Sequence, residues 1–243
     1  MFLLIFTSLL LAKINSHLLG FQILNPDETQ MMSNAIGIFN KGNAFLKFDG
    51  TTSGILNSLI LGWPEIFNLD ITFLSTRVTA IILLAIIILC VLKIIHFQIQ
   101  KIYHTLILIA PLWIFFLFTK DPDFLHYSTE LLSTTFLTLS YLLIKLDKNF
   151  SKKNTIIIAP ILLGLVFFSK IQFFPVAIII FLIILIELFL QKKDLRKYFI
   201  SVFFFLLPSF IIFTLLFVSG NLKDFFINNF IFAYDFISFS QSK

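Results

Sequence analysis

Residues 155–190 read TIIIAPILLGLVFFSKIQFFPVAIIIFLIILIELFL. As a single helix these 36 residues would run about 54 Å at about 1.5 Å per residue, against a hydrocarbon core of about 30 Å. The stretch must therefore turn back on itself. Ser169-Lys170-Ile171-Gln172 is its polar interruption, and Pro175 stands where a second helix would open. Two helices joined by a tight turn make a membrane hairpin. Apolar runs of span length lie on either side of it, at residues 2–19, 71–95, 102–119, 125–146 and 198–219. With 155–168 and 173–190 they predict an all-α, polytopic membrane protein of about seven transmembrane helices.

Composition agrees. The 243 residues are 58% hydrophobic and 13% charged, with a mean hydropathy of +0.99, whereas soluble domains carry about 25% charged residues. The 34 Phe fit an A/T-rich coding bias in an apolar chain and carry no cofactor signal. Cys90 is the single cysteine, which excludes an intrachain disulfide and a cysteine metal site. Residues 2–12 are apolar, but no Lys or Arg precedes them and no A-x-A site follows, so they read as a retained first span. No long polar linker and no internal repeat divides the chain, and residues 1–243 read as one membrane domain.

Charge orients it. The loops after the second, fourth and sixth predicted spans carry ten basic and two acidic residues, and the opposite loops six basic and nine acidic. Basic residues collect on the cytoplasmic side. The amino terminus is thus expected inside and the long first loop, residues 21–70, outside. The sequence pI near 9.3 follows from basic loops at the membrane edge, and nucleic acid is not an expected partner.

That first loop holds most of the external polar sequence, and long ordered loops are usually functional. Asn25-Pro26-Asp27-Glu28 has the form of a helix start: a capping residue, a first-turn proline and a capping-box glutamate. Met31, Met32, Ala35, Ile36 and Phe39 then recur at helical period, which suits a helix lying in the membrane interface. Asp27 and Glu28 would be favoured at such a helix start by the macrodipole alone. Held at the membrane surface, the same carboxylates stand where a base meets both a lipid headgroup and a soluble acceptor. Further on, Asp123, His126 or Tyr127, and Glu130 fall at helical spacing and are expected on one face near the outer surface. Glu130 would either serve the chemistry or pair with Arg77 or Lys170 to fix helix packing. Lys170 would either meet a substrate or snorkel from a helix end, and Glu187 reads as an ion-pair partner of the inner basic loop. His17, His96, His104 and His126 show no metal-ligand spacing, and nucleotide and hydrolase motifs are missing, which leaves carboxylates as the catalytic candidates.

Asn25-Pro26-Asp27-Glu28-Thr29, then Gly42-Asn43, then Thr51-Thr52-Ser53-Gly54-Ile55-Leu56 resembles the first external loop of membrane glycosyltransferases of the GT-C fold. That group includes the protein O-mannosyltransferases and the aminoarabinose transferases that modify lipid A. Ile55 stands where proline is common. Arg77 at the head of the second span, Tyr127-Ser128-Thr129-Glu130-Leu131, and Gly164-Leu165 through Ser169-Lys170 extend the resemblance over roughly residues 1–190. It implies transfer of a sugar from a polyprenyl-phosphate-linked donor to a lipid, glycan or protein acceptor outside a bacterial plasma membrane, as part of cell-envelope chemistry. In that reading Asp27 is the general base, Glu28 orients the acceptor or the sugar, and Glu130 is a further acidic site residue. Lys170 and Arg77 then face the leaving phosphate. No organic cofactor is implied, and dependence on a divalent cation is left open. Members of that group have more spans, so the chain is expected to be the amino-terminal part of a larger catalyst. The rival readings are a transporter or channel subunit, which would place its polar groups near the midplane, and a noncatalytic membrane assembly subunit.

Overall fold

The computed structural model describes residues 26–40, 54–118, 126–147, 150, 152–191 and 195–231. The expected first span (residues 2–19), the cap Asn25, Gly42-Asn43, Thr51-Thr52-Ser53 and Asp123 lie outside them. Among the described residues there are nine α-helices and no strand. They are α1 (Pro26–Asn40), α2 (Ile55–Leu61), α3 (Phe73–Ile99), α4 (Ile102–Phe118), α5 (Thr129–Leu146), α6 (Lys153–Ser169), α7 (Phe174–Leu190), α8 (Leu195–Val218) and α9 (Leu222–Phe226). Short 3₁₀ turns at Trp63–Phe67 and Ile171–Phe173 join α2 to α3 and α6 to α7.

Three stretches are long and apolar enough to cross a membrane: Phe73–Ile99, Ile171–Leu190 and Leu195–Val218. They mark an integral membrane protein. α4, α5 and α6 have 17, 18 and 17 residues, about 26 Å of helix at about 1.5 Å per residue. That is a little short of the core, and the first turns of α5 carry Thr129, Glu130, Ser133, Thr134 and Thr135.

The helix limits have local causes. Thr72 opens α3 with a capping box: Ser75 N donates to Thr72 Oγ1 at 3.3 Å, and Thr72 N donates to Ser75 Oγ at 3.0 Å. Gln100 closes α3 in the left-handed region at φ 58°. α6 stops at Ser169 because Lys170 is extended (φ −160°, ψ 113°), and Pro175 sits in the first turn of α7. The helical break between 168 and 173 expected from length is therefore present. Pro111, Pro160 and Pro208 lie inside α4, α6 and α8, an arrangement that membrane helices tolerate.

α6 is the central helix, packed between α5 and α8. Its buried face, Ile156, Ala159, Leu163 and Val166, joins Leu137 of α5 and Ala177, Phe181 and Ile184 of α7 in one apolar core. Phe181 and Phe205 stack with ring centroids 4.1 Å apart. The outer faces of α7 and α8 show Ile179, Phe189, Phe203, Phe210 and Phe217 to the surroundings, a pattern suited to lipid. Gly164 lets α6 approach α8 so closely that a Cβ there would overlap the carbonyl of Phe205. Gly164→Leu is therefore expected to lower the thermal midpoint of the detergent-solubilised protein, at a cost of about 1–3 kcal/mol for overpacking. Gly37, inside α1 with open space around its Cβ position, gives the contrast. Gly37→Ala is expected to raise the midpoint by the removal of up to about 1 kcal/mol of helix penalty.

Candidate functional site

The polar side chains gather at one end of the bundle, where α3 and α5 begin and α6 ends. α1 and α2 cover this end. α1 turns Met31, Ala35 and Ile38 inward, and Met31 and Ala35 pack with Leu61, Ala80, Tyr127 and Leu132. Met32 and Ile36 pack partly against the same cluster. The periodic face read from the sequence is thus a docking face onto α2 and α3.

Docking carries Glu28 into the protein. Its carboxylate is 0% exposed. Glu28 Oε2 lies 3.4 Å from Arg77 Nη2 and 3.6 Å from His126 Nδ1, and Oε1 lies 3.1 Å from the Thr76 hydroxyl as donor. Arg77, 2% exposed, also stands over the Phe73 ring. Three parts of the chain remote in sequence, α1, α3 and the segment before α5, meet on one buried carboxylate. Asp27, its neighbour in sequence, is exposed.

A second group lies at the end of α6. Lys170 Nζ pairs with Glu130 Oε1 and donates to Thr129 Oγ1 at 2.7 Å. The lysine side chain is 15% exposed and the glutamate 47%. Between the two groups runs a buried chain of neutral hydrogen bonds. Tyr127 OH donates to Asn57 Oδ1 at 2.7 Å, Asn57 Nδ2 donates to the carbonyl of Ser169, and the hydroxyls of Ser133 and Ser169 are 2.7 Å apart.

All five residues singled out in the sequence therefore lie at this end. Glu28 joins Arg77, and Glu130 joins Lys170. Glu28 and Arg77 are engaged with each other below the surface, so the arrangement gives them a structural hold on α1. One sequence expectation is corrected. His126 and Tyr127 do not share a helical face with Glu130, because α5 starts only at Thr129. Ser128 before it is extended (φ −115°, ψ 151°), which lets both rings turn inward to Glu28 and Asn57.

The opposite end is basic. Lys197 Nζ donates to the carbonyl of Phe150 at 2.9 Å, the backbone N–H of Lys152 donates to Asp147 Oδ2 at 2.8 Å, and Lys145 lies over the Tyr141 ring. Among the described residues no group of three His, Cys, Asp or Glu side chains is placed to hold a metal ion.

Sequence reading missed Thr76 and Asn57 as members of the site; it had His126 or Tyr127 only on a face with Glu130, and Ser169 only in the turn before Lys170. The available signal was adjacency: Thr76 precedes Arg77, Ser169 precedes Lys170, and Asn57 follows Gly54 by three residues. No protein-family model, no curated protein and no solved structure matches the chain.

Proposed function

We propose that the chain forms part or all of a GT-C-like membrane glycosyltransferase that moves a sugar from a polyprenyl-phosphate-linked donor to an acceptor on the extracytoplasmic side. The observation that carries this reading is the gathering of an exposed carboxylate, Asp27, and a lysine with a partly exposed side chain, Lys170, at the same end of an apolar bundle. In this reading the bundle has about seven spans, with the Asp27 end outside and the basic end in the cytoplasm.

Asp27 takes the proton of the acceptor hydroxyl as its oxygen attacks the anomeric carbon. The bond from that carbon to the donor phosphate breaks, and its electron pair stays on the phosphate oxygen. Charge gathering there needs a cation close by. Lys170 supplies it, with the Thr129 hydroxyl as a second donor to a phosphate oxygen. Glu130 holds the ammonium until the phosphate replaces it. Buried Glu28 and Arg77 act as positioning residues that keep α1, and so Asp27, at the membrane surface. This assignment takes Arg77 away from the phosphate and Glu28 away from the acceptor.

The reading is tested by binding of polyprenyl phosphate to the protein in lipid nanodiscs. Lys170→Ala is expected to weaken it roughly tenfold or more, the worth of a charge-assisted hydrogen bond. Equal affinity for wild type and variant overturns the assignment of Lys170. The orientation has its own test. A thiol at position 170 is expected to react with an impermeant reagent added outside intact cells, and reaction only from the cytoplasmic side contradicts the topology.

A further inference from the structure

The end of α6 is held by the segment around α2, which reaches across the bundle to do so. The carbonyl of Ser169 receives two donors from it: Gly54 N–H at 3.0 Å and the Asn57 side-chain amide. Within an uninterrupted helix that carbonyl would take the N–H of Phe173, but Phe173 N–H goes to the carbonyl of Lys170 at 3.0 Å. A Cβ on Gly54 would overlap the backbone of Phe168 and Ser169, so only glycine allows this approach. Asn57 is fully buried and uses both ends of its amide, since its Oδ1 accepts from Tyr127 OH. The orientation of the amide is thereby fixed, with its N–H aimed at Ser169. Lys170 is the next residue, extended, its Nζ between Thr129 and Glu130.

The geometry points to Asn57 as a positioning residue for Lys170. Its amide, with Gly54 N–H, captures the last carbonyl of α6, breaks the helix at that residue, and sets where the lysine backbone stands. α2 and the ammonium are thus linked through Ser169, so that a ligand displacing α2 also displaces the cation. The coupling follows from the hydrogen bonds themselves. Only its consequence for donor binding rests on the function proposed above.

The test reads the accessibility of position 170. Lys170→Cys is made in the full chain with Cys90→Ala, and its rate of reaction with an impermeant methanethiosulfonate is measured with and without Asn57→Ala. Leu74→Cys, 49% exposed at the same end as the native leucine, is the reference thiol. Loss of the amide is expected to raise the rate at 170 about fivefold, the worth of one net hydrogen bond, and to leave the rate at 74 unchanged. Asn57→Asp keeps the shape and the acceptor for Tyr127 but sets a carboxylate against the Ser169 carbonyl, so it is expected to act the same way. It serves as the test if the alanine variant does not insert. An unchanged rate at 170, or an equal rise at 74, overturns the proposal. Polyprenyl phosphate binding separates the two readings. If Lys170→Ala binds normally while Asn57→Ala still speeds reaction at 170, the glycosyltransferase reading fails and the coupling stands. If Lys170→Ala weakens binding and the rate at 170 does not respond to Asn57, the coupling fails alone.

Discussion

Arg77→Ala is expected to destabilise the protein by about 3–5 kcal/mol, because removal of one partner leaves a buried carboxylate without its compensating charge. Glu28 is the carboxylate concerned, and it ties α1 to α3 through Arg77 and Thr76. The damage should appear first as release of α1. Limited proteolysis near residue 40 should accelerate before the rest of the bundle melts. Replacing both partners by apolar residues of similar size, Glu28→Met with Arg77→Met, should recover much of the loss, since no charge is then left buried. If Arg77→Ala melts like wild type and α1 stays protected, the Glu28–Arg77 contact does not hold α1.

Asp27→Asn is expected to behave in the opposite way, with folding retained and chemistry lost. The residue is exposed in the first turn of α1, and asparagine keeps its size, so insertion should not change and stability should fall by no more than a helix-dipole contribution of about 1 kcal/mol. A general base contributes about 10²- to 10⁴-fold in rate, and sugar transfer should fall by at least the lower figure. Near-normal turnover of the variant, in whatever assembly the wild type is active, removes Asp27 from the mechanism.

Length and hydropathy gave much of the fold because the bilayer imposes a helix length that charge and proline then punctuate. The ends of α4, α6 and α7 fall within about two residues of their expected places, and the break after Ser169 follows from arithmetic on one 36-residue run. α5 was placed too early. An apolar pattern cannot show that Ser128 leaves the helical region so that His126 and Tyr127 can point inward. The site was legible as residue types and less so as partnerships. Glu28 looked like one half of an exposed pair with Asp27, yet adjacent positions on a helix face different ways, and here one faces the core and the other solvent. The role of Asn57 was invisible because an amide shows no periodicity, and its partners Ser169 and Tyr127 lie 112 and 70 residues away.

The central claim is that this end of the bundle draws sugar from a lipid phosphate. It is tested most directly by profiling the lipid-linked sugars of cells that carry the gene intact, deleted, or changed only by Asp27→Asn. Such a profile reads the whole protein in its own membrane. The account predicts that one polyprenyl-phosphate-linked sugar accumulates in both the deleted and the Asp27→Asn cells, while an envelope lipid, glycan or protein loses that same sugar. An unchanged profile in the deleted cells would contradict it.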